Sequence, residues 1–216
     1  MKKILGMLGV LALLGAAGAA GFVWSGLYDV SATDQHLAPT YYMLQKTMEK
    51  SVERRARDIE VPALGAPAQV RRGVALFREH CVQCHGGPGV APEPFAMGLT
   101  PLATPLQRSG LDRSPAYLYW IIRNGLKMTG MPAWKFRLDD TDLWALVAFV
   151  LELPRLTPAE YAALEGLELD RSEDRADRAP DPKRGKEALE QYACISCHEI
   201  PGLVGPEARL GPPLEG

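Results

Sequence analysis

Two runs of this sequence place chemically capable residues at the same spacing. Residues 81–85 read Cys81-Val82-Gln83-Cys84-His85, and residues 194–198 read Cys194-Ile195-Ser196-Cys197-His198. Together they use all four cysteines of the chain and two of its four histidines. On one turn, two thiols three positions apart can each form a thioether to a vinyl group of one haem, and the histidine that follows can bring its imidazole to the iron. Such tethers hold a porphyrin that a small domain could not enclose by packing alone. Other uses of Cys-x-x-Cys fit this chain less well. A reactive dithiol is expected beside a βαβ pattern, which is absent here. A zinc site built from Cys81, Cys84, Cys194 and Cys197 would ignore the histidine after each pair. Disulfides within the pairs would close very tight loops. The repeat therefore predicts two covalently bound haem c groups, tethered by Cys81, Cys84, Cys194 and Cys197, with His85 and His198 as proximal iron ligands.

A second axial ligand for the first iron is expected from a loop further along. Residues 124–134, "NGLKMTGMPAW", form a Gly/Pro-containing stretch that carries Met128 and Met131. A thioether at that position favours ferrous iron and raises its potential, which suits an electron carrier. A methionine is more often core filler, but two in one such loop make a ligand the better reading. His80 abuts Cys81 on the wrong side of the attachment turn and reads as a packing or surface residue. His36 lies well before the turn and reads as a solvated histidine.

The elements that must position these residues are helical. "AQVRRGVALFREH" (68–80) leads into the first pair. "SPAYLYWIIRNG" has Ser114 as N-cap, Pro115 at the first helical position and Gly125 as its stop. "DDTDLWALVAFVLEL" has Asp139 or Asp140 as cap and an apolar face of Leu143, Leu146, Val147, Val150 and Leu153, with Pro154 closing it. No stretch alternates at period two, so the fold class is all-α. Upstream, Tyr41, Leu44, Met48, Val52, Ala56 and Ile59 recur at helical spacing and read as a stripe packed on the domain that follows. Thr157-Pro158-Ala159-Glu160 has the form of a capping box. The charged, apolar-poor run at 169–183 reads as a solvated linker. Beyond it, "RGKEALEQYACISCHE" repeats the theme of "RGVALFREHCVQCHG".

The front of the chain is uncharged from Ile4 to Ser25, after Lys2 and Lys3. A secretory signal with Ala17-Gly18-Ala19 at its cleavage site is one reading. A membrane anchor is the favoured one, because the run has the roughly 20 apolar residues needed to span. Trp24 and Tyr28 also stand where interfacial aromatics sit. Either way the remainder lies outside the cytoplasm, where covalent haem attachment is expected to take place. The 216 residues carry 47% hydrophobic and 23% charged residues and a formal net charge of −2, an ordinary globular composition with no basic field for nucleic acid. The organisation expected is an anchor or signal segment at 1–28, a juxtamembrane helix at 29–66, a first haem domain at 67–154, a charged linker at 155–182 and part of a second domain at 183–216.

Residues 68–153 resemble a class I cytochrome c domain of the kind attached to bacterial membrane oxidases and dehydrogenases. The shared features are Gly73 and Phe77 in the first helix, Cys81 to His85, the loop from Gly125 to Trp134 with Gly130-Met131-Pro132, and the "LWALVAFVLEL" helix. The resemblance implies that Met131, in the Met-Pro position, is the distal ligand and Met128 is not. It also implies that Gly73 and Phe77 sit where the first helix crosses the last, with the glycine allowing close approach. The second unit departs from this pattern. "LGPPLEG" at 210–216 resembles the segment after an attachment site, but the 18 residues after His198 contain no Met and no His. The expectation is a chain that continues into a Met-containing loop and a closing helix. The functional expectation is a di-haem c-type cytochrome on the periplasmic side of a bacterial inner membrane (or in the periplasm if the leader is cleaved). It would pass single electrons between redox protein partners, the expected ones being subunits of a membrane oxidase or dehydrogenase complex. The alternative is a di-haem enzyme such as a peroxidase with an open second iron.

Overall fold

A computed structural model of the chain describes residues 1–33, 36–109 and 113–164, with isolated positions between 181 and 200. The described residues are helical and contain no strand; an isolated bridge between Gly87 and Val90 is their only extended pairing.

The first element, α1 (Lys2–Ser25), is uncharged after Lys2 and Lys3, buries none of its residues and ends at Gly26 in the left-handed conformation. At about 1.5 Å per residue it is roughly 36 Å long, enough to cross a hydrocarbon core of about 30 Å. α2 (Ala38–Ala56) follows, with Pro39 in its first turn. Only its second half meets the rest of the fold. Val52 and Ala56 are buried against Ala116 and Tyr117, with Met48 and Ile59 packed alongside. Tyr41 and Leu44, which the apolar stripe placed with the buried positions, are exposed. The helix overhangs the domain by its first two turns, so the stripe finds a partner only over its second half.

α3 (Pro67–His80), α6 (Pro115–Asn124) and α7 (Asp140–Glu152) surround the core of the domain. The capping of α6 and α7 follows local rules. Ser114 accepts a hydrogen bond from the Tyr117 amide, and Asp139 one from the Asp142 amide at 2.9 Å. α3 and α7 make the most extensive contact of the fold. A Cβ added at Gly73 would lie 2.1 Å from the Ala145 carbonyl oxygen and 2.7 Å from Phe149 Cβ, so the two backbones meet there. One turn on, the rings of Phe77 and Phe149 pack edge to face at 5.2 Å, both fully buried. Arg72 closes the same interface, donating to both carboxylate oxygens of Asp142 at 2.6 and 2.8 Å. α6 lies against α7, where Tyr119 stacks on Trp144 and donates to Asp140 at 2.7 Å.

Shorter elements complete the described part. α4 (Val82–His85) follows α3 directly, α5 (Leu106–Ser109) packs near a 3-10 turn at Leu153–Arg155, and α8 (Pro158–Ala163) starts with the capping box of Thr157 and Glu160. Arg78 donates to the Tyr161 and Leu164 carbonyls at 2.8 and 3.0 Å, which holds the end of α8 on α3.

Candidate haem-attachment site

The first Cys-x-x-Cys-His run begins where α3 stops. The Cys81 amide donates to the Phe77 carbonyl and ends that helix, and the Cys84 and His85 amides then donate to the Cys81 carbonyl. The turn is thus wound on the end of a helix that carries the core residues Val74, Leu76 and Phe77. Gly86 ends it, with φ 63, in a place where a Cβ would lie 2.7 Å from the Val90 carbonyl oxygen. A chain with a side chain there could not fold back so sharply after His85.

The electrostatics of the turn favour neutral groups. Cys81 is half-buried, and burial, with a smaller contribution from Cys84, pushes its thiol up to about 12. Burial also raises Cys84. Thiols held protonated in this way lack the low-pKa thiolate of a redox-active dithiol. The His85 Nδ1–H donates to the Thr104 carbonyl oxygen at 2.8 Å. Burial lowers the imidazole below its ordinary value and outweighs that hydrogen bond, which acts to raise it. The result is a neutral ring whose Nδ1 is occupied as a donor, so Nε2 carries the lone pair. That is the tautomer an iron ligand needs, with the second nitrogen tied to a backbone carbonyl. Among the described residues no three His, Cys, Asp or Glu side chains converge on one point. Two neighbouring neutral thiols and an oriented imidazole on one turn do fit a haem held by thioethers and one axial nitrogen.

The loop from Gly125 to Asp139 faces this turn. Gly125 adopts φ 65 and ψ −174, a conformation that essentially only glycine takes, and a Cβ there would lie 2.7 Å from atoms of Met131, Pro132 and Ala133. The loop then folds back on the last turn of α6. Leu126 donates to the Met131 carbonyl, Trp134 to that of Ile122 and Lys135 to that of Arg123. Thr129 pins the approach to Met131: its hydroxyl donates to the Leu126 carbonyl at 2.8 Å and accepts from the Met131 amide at 3.1 Å. Met131 is half-buried and packs against the same core cluster as Cys81 and Val82. Met128, three residues earlier, is 77% exposed, at φ 59.

Two contacts join the loop to the attachment turn. The His80 ring lies 4.8 Å from that of buried Trp134. Leu99, in the chain leading from the turn to Thr104, packs on Gly130, where a Cβ would be 3.0 Å from its methyl. His80 is therefore a packing residue of the site. His36 is a correction to the sequence reading: instead of being simply solvated, it is half-buried, stacked on Tyr28 and bonded through Nδ1 to the Tyr28 hydroxyl at 2.6 Å. Sequence reasoning missed Thr104, Leu99, Thr129 and the His80–Trp134 pair. Thr129 had a local signal, a hydroxyl two residues before the methionine amide. The others act across irregular loops and leave no periodic trace. Cys194, Cys197 and His198 lie outside the described residues.

Residues 68–150 match the family model described as cytochrome c oxidase, cbb3-type, subunit III. No curated protein and no solved structure matches the chain. The matched segment runs from α3 through the attachment turn and the methionine loop into α7. It is a helical cytochrome c domain, of the kind that carries covalently bound haem c and takes part in electron transfer.

Proposed function

We propose that the chain is a membrane-anchored, extracytoplasmic di-haem cytochrome c that passes single electrons as part of an oxidase complex. The reading rests on one observation above all. His85 is anchored through Nδ1 on a two-thiol turn whose Cys81 and Val82 share a core with Met131, inside a segment that matches a cytochrome subunit. When bound, haem c supplies an iron that cycles between ferrous and ferric states. Cys81 and Cys84 would form the thioethers and His85 the proximal bond. Met131 would provide the distal sulfur, which favours the ferrous form and raises the potential. Thr104 keeps the His85 ring in one orientation, while Gly125 and Thr129 set the path of the methionine loop. Ligands oriented in this way would suit a bound haem to electron transfer more than to substrate turnover.

Cys194, Cys197 and His198 would hold the second haem, as the repeated motif and the similar residues before it support. α1 would anchor the chain, with Lys2 and Lys3 on the cytoplasmic side and everything after it outside, where covalent attachment takes place. The subunit III match supports an oxidase complex as the setting. Intact-mass measurement of the full chain expressed with a haem-attachment apparatus should show two added haems. C81A/C84A and C194A/C197A variants should each lose one. A parent chain that carries a single haem removes the di-haem reading, and one that carries none removes the whole proposal.

A further inference from the structure

The residues between α1 and the cytochrome domain include apolar surface that neither element uses. Leu27, Val30 and Leu37 are among the most exposed large apolar side chains of the described residues, at 79%, 88% and 68%. Tyr41, Tyr42, Met43 and Leu44 follow, all exposed, on the part of α2 that overhangs the domain. Four successive helical positions advance by about 100° each, so these side chains encircle the helix. A protein groove would cover one side of such a turn. A layer that surrounds the helix end would cover all of it.

The chain keeps this turn close to the end of α1. Tyr28 packs edge to face on Phe22 of α1 at 6.3 Å, and its hydroxyl bonds His36, two residues before α2 starts. The contacts Phe22–Tyr28–His36 thus return the chain to the end of α1, and α2 starts there. The domain is held to the same place twice. α2 packs through Val52 and Ala56 on α6, and the Thr100 hydroxyl donates to the Ala32 carbonyl at 2.7 Å. Thr100 belongs to the stretch that carries Leu99 and Thr104, the contacts to Gly130 and His85.

We infer that residues 27–33 and 36–44 insert into the membrane–water interface, with the Tyr41–Leu44 turn of α2 entering the lipid headgroup layer end-on, and that this fixes the domain with its Leu99–Thr104 stretch toward the bilayer. The occupant is lipid, because tyrosine is suited to a zone that is apolar on one side and wet on the other. The turn also starts at the exit of a helix long enough to span. This inference rests on the anchor reading of α1.

The test uses the full-length, haem-loaded chain in phosphatidylcholine vesicles, under conditions where the parent takes up no thiol label. Nitroxides are placed singly by L13C in α1, Y42C and M43C in the exposed turn, and R57C at the far end of α2, about 21 Å from Met43 along the helix. Collision with oxygen is compared with collision with a water-soluble nickel chelate. The labels at 13, 42 and 43 should favour oxygen several-fold relative to the label at 57. Water-like behaviour at 42 and 43 with a lipid-like label at 13 overturns the inference and leaves the anchor standing. A water-like label at 13 removes the anchor reading and the inference with it. Labels at 42 and 43 shielded from both reagents by a co-purifying protein also overturn it.

Discussion

The close approach of α3 and α7 at Gly73 makes the sharpest prediction. In G73A, the new methyl would lie 2.1 Å from the Ala145 carbonyl oxygen and 2.7 Å from Phe149 Cβ, both on α7. The first neighbour is a main-chain atom, so α3 and α7 must move apart together. Overpacking of this kind costs about 1–3 kcal/mol, and a backbone neighbour puts it near 3 kcal/mol. Alanine also gains about 1 kcal/mol over glycine inside a helix. The net loss is then about 2 kcal/mol, and at roughly 4–8 °C per kcal/mol for a domain of this size the melting temperature should fall by about 8–16 °C. G98A is the control, because a Cβ at Gly98 meets nothing within 4 Å. Thermal melts of both variants in the haem-loaded chain, followed by far-ultraviolet circular dichroism, give the answer. A G73A chain that melts within a degree or two of the parent would show that α3 and α7 do not meet at Gly73, and the fold described here would be wrong at its centre.

Three further predictions concern the site and its supports. M131A should open the sixth position of the first iron, lower its potential and allow carbon monoxide to bind the reduced protein, whereas M128A should do none of these; redox titration and carbon monoxide difference spectra separate the two. Glu49 is drawn from its ordinary 4.5 to about 2, first by the hydrogen bond from Lys46 and then by that from Gln45. Because the folded value is the lower one, its stabilising contribution is complete above about pH 4.5 and is lost as the pH falls toward 2. E49Q should flatten acid unfolding in that window, and a parent and variant with the same acid titration would contradict the contact. D142N should break the paired hydrogen bonds from Arg72, at a cost of about 1–2 kcal/mol given that Arg72 is partly exposed. A double-mutant cycle with R72M, read by urea unfolding, isolates that coupling.

Much of this protein was legible from local rules. The Ser114 and Asp139 caps, Gly125 as the end of α6 and the Thr157 capping box are decided within one turn of chain, and each is found where the residues call for it. The all-α class followed from periodicity, and the cytochrome c domain from the motif and the residues around it. The apolar stripe of α2 shows the limit of such rules. Periodicity treats Tyr41, Leu44, Val52 and Ala56 alike, yet only the last two are buried, because the partner surface on α6 extends no further.

Local spacing by itself determined which residues could bind a porphyrin, since two thiols and an imidazole on one turn are set by bonds a few atoms apart. It also determined that the chain opens with a helix long and apolar enough to cross a bilayer. Only the tertiary structure decided which nitrogen of His85 is free, that Leu99 closes on Gly130, and that His36 folds back on Tyr28. Those outcomes depend on where irregular loops return in space. Loop paths are chosen by the sum of many weak contacts between residues distant in the chain, and no fixed spacing encodes that sum.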